Sequence, residues 1–69
     1  MEQELHEQLL KQLHEQLDNE IEHGHQDTAR FLYGQIAGAL MLAFYLQIID
    51  KEENDRRFIE AQDKFYDAF

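Results

Sequence analysis

From Phe31 to Ile49 the chain carries no charged residue, and Gln35 and Gln47 are its only strongly polar side chains there. At 100° per residue, apolar groups in this stretch fall on every side. A helix of that kind is enclosed by protein or spans a membrane. The rest of the chain has little with which to enclose it. The chain has 69 residues, and a chain that short buries only a modest share of its surface. Ordering costs about 1.5 kcal/mol per residue, and apolar burial returns about 25 cal/mol per Å², so the two nearly cancel. Small proteins close that gap with disulfides, metals or oligomerisation. Cysteine is absent, which removes disulfides and thiolate metal sites. Association with another polypeptide is the expected remedy, and a second copy of the chain is the simplest partner.

The flanking segments read as helices with one apolar side each. Over residues 3–23, Leu5, Leu9, Leu10, Leu13, Leu17 and Ile21 form a broad stripe at helical spacing. Glu4, Glu7, Lys11, Glu15, Asp18 and Glu22 take the opposite face. Lys11 stands four residues from both Glu7 and Glu15, which adds two weak pairs. The repeated Leu-His-Glu-Gln-Leu at Leu5–Leu9 and Leu13–Leu17 matches no solenoid period and reads as drift within a Leu/Glu/Gln-rich helix. Gly24 suits the position just past the helix end, where a left-handed conformation closes the last turn. The central helix is expected over 28–48, with Asp27 or Thr28 supplying the cap oxygen. A third helix is expected over 51–68, opened by Asp50 with Glu53 three residues on. Phe58, Ile59, Phe65, Tyr66 and Phe69 share one of its faces with Gln62. Only the Asp50 cap forces a stop, so one continuous helix from the central segment to the C-terminus is the alternative. The fold class is all-α: a single helical domain over 1–69, three helices per chain, assembled as a helical-bundle homodimer.

Chemistry is sparsely encoded. With no cysteine, no serine and Thr28 as the sole aliphatic alcohol, the usual nucleophiles are missing. Phosphate-binding glycine loops and His-Glu-x-x-His patterns are absent too. His23-Gly24-His25, with Glu20, Glu22 and Asp27 nearby, is the one gathering of imidazoles and carboxylates. No pair of histidines four apart places two imidazoles on one helical face, so a polar turn is the expected role. His6 lies within the apolar stripe and reads as a packing residue. The chain is expected to be no enzyme and to hold no cofactor or metal.

Fifteen acidic residues against six basic ones give a net charge of −9. That surface repels nucleic-acid phosphates and anionic headgroups, so direct nucleic-acid binding is not expected. A heterologous partner would be basic. Glu4, Glu7, Glu15, Asp18 and Glu22 could present a phosphate-like row to such a partner, making a nucleic-acid-mimicking inhibitor one alternative function. The other alternative is a single-pass membrane protein that self-associates through Gly34-Gln-Ile-Ala-Gly38. Against it stand the two glutamines, the lack of a flanking Lys/Arg cluster beyond Arg56 and Arg57, and apolar faces on both neighbouring segments that want cover. The absence of a signal-peptide pattern and of cysteine fits a cytoplasmic protein.

The preferred reading is a small acidic interaction or regulatory module that acts by binding, with itself as first partner. The expected two-fold interface is built from Phe31, Gly34, Gly38, Ala39, Leu42, Ala43, Tyr45 and Ile49. The small residues let two central helices approach and the large ones surround them. Tyr33, Tyr45, Gln35 and Gln47 should find hydrogen-bond partners where buried.

Overall fold

A computed structural model describes residues 2–69, with side-chain surroundings from Glu4 onward; Met1, at the start of the expected domain, lies outside the described residues. Three helices follow in order: α1 (Glu2–Glu22), α2 (Gln26–Tyr45) and α3 (Lys51–Ala68).

The two connections use the same backbone device. Gly24 sits at φ +72°. Its N–H donates to the Ile21 carbonyl at 3.0 Å, and the His25 N–H donates to the Glu20 carbonyl at 2.9 Å. That pair of bonds is the Schellman closure, with glycine in the left-handed position. The chain then enters α2 at once. Its cap residue is His25, which makes no side-chain capping bond, and Asp27 lies in the first turn. The expected caps, Asp27 and Thr28, are therefore inside the helix, because the tight closure leaves only residues 23–25 between the two helices.

The second closure was not legible from residue type. Gln47 occupies the left-handed position at φ 61°. Its N–H donates to the Phe44 carbonyl at 3.0 Å, and the Ile48 N–H donates to the Ala43 carbonyl at 2.9 Å. The central helix thus ends at Tyr45, short of the expected 48, and the continuous-helix alternative is overturned. Asp50 caps α3 as expected, its Oδ1 accepting from the Glu53 N–H at 2.8 Å. The Glu53 carboxylate does not reach back to complete a capping box. It accepts from Arg56 and Arg57 instead. The break shortens the uncharged helical run to Phe31–Tyr45, about 15 residues or ~22 Å, against the ~30 Å hydrocarbon layer of a bilayer. Among the described residues, no helix is long and apolar enough to cross a membrane.

Packing is up-down-up, with α2 in the middle. Glu7 meets Arg57 at 2.7 Å and Asp18 meets Lys64 at 3.0 Å, so α1 and α3 run parallel to each other. Both lean chiefly on α2 and touch each other little. The core draws Leu10, Leu13 and Leu17 from α1, and Ala29, Leu32, Ile36, Leu40 and Ala43 from α2. Ile49, Ala61 and Phe65 complete it, with Ile21, Tyr33, Ala39, Ile48 and Phe58 packed at its edge. Tyr33 stands edge-on to Phe58, Phe65 and Tyr66 at ring separations of 6.0, 5.5 and 6.2 Å, a favoured aromatic geometry. The inward stripes are narrower than expected: Leu5, Leu9, Ile59, Tyr66 and Phe69 remain exposed. The result is a thin body with principal extents of 34 × 21 × 13 Å.

Candidate functional site: the outward face of the central helix

The buried residues of α2 recur at intervals of three and four, as Ala29, Leu32, Ile36, Leu40 and Ala43. They occupy one side of the helix. The opposite side carries Phe31, Gly34, Gln35, Gly38, Met41, Leu42 and Tyr45 at the same kind of interval, and all are exposed. The exposure of its large side chains is high: Phe31 65%, Met41 55%, Leu42 59% and Tyr45 73%. Leu46, also exposed, extends the strip past the helix end. The three-helix body therefore covers α2 along one stripe and leaves a second, uncharged stripe bare. Contiguous apolar strips of this kind mark contact sites rather than ordinary surface.

Two glycines sit in the middle of this strip. A Cβ built on Gly34 or Gly38 would meet nothing within 4 Å. Glycine inside a helix costs about 1 kcal/mol relative to alanine. Within the chain nothing offsets that cost, because no neighbour uses the space left by the missing side chains.

Of the residues expected at an interface, Phe31, Gly34, Gly38, Leu42 and Tyr45 lie together on the bare strip. Ala39 is partly covered and packs against the core. Ala43 and Ile49 are corrections: both are buried inside the single chain. Ala43 falls on the inward stripe with Leu40, and Ile49 is carried into the core by the turn at Gln47. Met41 was missed, although it stands three residues after Gly38 and so shares its face. Gln35, Gln47 and Tyr45 are open to water, so solvent can satisfy their polar groups.

Between α1 and α3, several charged groups pair with one another. A groove of ≈ 280 Å³ runs between α1 and α3, with Leu10 and Leu40 among its lining and Glu7, His14, Arg57 and Glu60 along it. Arg57 bridges Glu7 at 2.7 Å and Glu53 at 2.5 Å. Those carboxylates hold the guanidinium above its usual range, Glu7 foremost. Hydrogen bonds from Arg56 and Arg57 hold Glu53 below the usual carboxylate range. Lys64 pairs with Asp18 and donates to His14 Nδ1 at 3.1 Å. Burial, then the Lys64 charge, pushes His14 below its ordinary value. Two members of the acidic row, Glu7 and Asp18, thereby pair with α3; Asp18 stays exposed, as do Glu4, Glu15 and Glu22. His6 is half-buried, with its Nε2 enclosed and unpaired.

At the α1–α2 turn, His23 Nδ1 donates to the Asn19 carbonyl at 2.7 Å, and His25 Nδ1 meets Glu20 at 2.6 Å. The two rings stack at 5.8 Å. Among the described residues, no group of three or more His, Asp or Glu is placed to hold a metal ion. Compared with known protein families, curated proteins and solved structures, the chain matches none.

Proposed function

We propose that the protein is a self-associating interaction module that works by binding, and that the outward strip of α2 is its contact surface. The observation that carries this reading is the bare strip itself, uncharged for its whole length and centred on two glycines that nothing in the chain requires. Its large apolar side chains expose on the order of 650 Å² per copy, the most they can bury on pairing, against the ~800 Å² that each partner contributes to a standard stable interface. Pairing hides the strip and leaves the acidic surface outside, where charge favours solubility. Neither alternative has comparable support. The uncharged helical run is short for a bilayer, and the acidic row is interrupted by its own ion pairs with α3.

Leu42→Lys tests the proposal. Residue 42 is exposed in the single chain, so the substitution leaves the internal core intact while placing a charge in the strip. The expected result is a halved mass by light scattering with unchanged helicity. Unchanged mass in the variant would show that the strip is not the contact.

A further inference from the structure

The order of side chains along the strip has a symmetry about Gly38. Three residues away on either side stand Gln35 and Met41, four away Gly34 and Leu42, seven away Phe31 and Tyr45. Eight away stand Arg30 and Leu46. The small Gly34 thus lies opposite the large Leu42, and the aromatic Phe31 opposite the aromatic Tyr45. Resting on the self-association proposed above, we infer that two copies pair antiparallel, with the two-fold axis at Gly38 and Leu42 of each copy seated in a recess of the other.

Phe31, Gly34, Gln35 and Gly38 have the spacing of the four residues that bound a hole on a helix surface. Two of them are glycines with open space above their backbone, so the hole is deep. Counting from Gly38 in an antiparallel pair, Leu42 of the second copy arrives at the height of Gly34 and fills it. Tyr45 arrives at the height of Phe31, where two rings can meet. A parallel pair does neither. Met41, Leu42 and Tyr45 would meet their own copies at one end, large against large, and the recess at Gly34 would face glycine rather than a side chain that fills it.

Charge favours the same choice. A parallel pair sets Arg30 beside Arg30 and Asp27 beside Asp27. The antiparallel pair carries Arg30 to the C-terminal end of the other α2, a helix with no basic residue in its own last turn. A cation there complements the negative end of the helix dipole, and Asp27, carried to the same end, offsets part of that gain. Opposed α2 dipoles also favour this direction.

The test places one nitroxide on Thr28→Cys, a unique thiol because the chain has no cysteine. Thr28 is exposed and lies outside the strip, so labelling leaves both core and contact intact. It precedes Gly38 by ten residues. Antiparallel pairing therefore sets the two labels about 30 Å apart along the axis. Parallel pairing brings them within about 20 Å, the width of two packed helices. Electron-electron dipolar spectroscopy reads the distance, and sedimentation of the same sample reads the mass. A dimer with the long distance supports the inference. A dimer with the short distance overturns the antiparallel register and leaves self-association standing. A monomer overturns both.

Discussion

Gly38 has one neighbourhood within the chain and another in the proposed pair, and the two make opposite demands on a side chain. In the single chain a Cβ there meets nothing, so Gly38→Leu should improve helix propensity by up to ~1 kcal/mol. In the pair it holds two backbones apart. We expect the variant to sediment as a monomer while retaining full helicity at low concentration; a dimer of wild-type affinity would place the contact elsewhere. His14 gives a second prediction at this scale. Its groove faces it with Lys64, Arg57, Glu60 and Asp18, and burial foremost lowers its proton affinity in the folded chain. The unfolded chain then binds that proton more tightly. The associated stability is present above the unfolded value of 6.5 and is lost as pH falls below it. Urea melts at pH 7.5 and 5.5 should show a smaller drop for His14→Gln than for wild type, and an equal drop would remove His14 from the account. Residue type alone did not separate Phe31, Gly34, Gly38, Leu42 and Tyr45, which lie exposed together, from Ala43 and Ile49, which are buried in the single chain. In an uncharged run, hydropathy does not distinguish the side facing the core from the side facing out.

The helices themselves were readable where the sequence carries chemistry that closes or opens a turn. Gly24 marks the end of α1 because glycine alone enters the left-handed region freely. Asp50 marks the start of α3 because its carboxylate accepts from an otherwise unpaired N–H. The end of α2 was invisible because Gln47, an ordinary helix former, takes the left-handed position. Tertiary contacts impose that turn: Ile49 is buried and Ile48 packs against the core, and both would be lost if the helix ran on. Gln47→Gly should therefore raise stability by about 1 kcal/mol, by relieving a side chain that disfavours φ 61°. Asp50→Ala should lower it by about 1 kcal/mol through loss of the cap. Thermal melts of the two variants, at a concentration low enough to exclude association, check both signs. Stabilisation by Asp50→Ala would mean that the cap is not what separates α2 from α3.

For the whole molecule, three helices in a layer 13 Å thick can cover the central one on one side only. That α1 and α3 fall short of enclosing α2 is legible in its uncharged run. Which stripe they cover is not, since that depends on how Tyr33, Phe58 and Phe65 interlock. Pairing of the uncovered stripes is opposed by the net charge of −9 on each copy, and salt screens that repulsion. Association should therefore tighten as ionic strength rises, the reverse of a contact held by opposite charges. The direct measurement is sedimentation equilibrium of the unmodified chain in detergent-free buffer, over a range of concentrations and at low and high salt. A species of twice the 8.3 kDa chain mass is expected, populated at lower concentration when salt is added. A folded species of 8.3 kDa at every concentration and salt would contradict self-association.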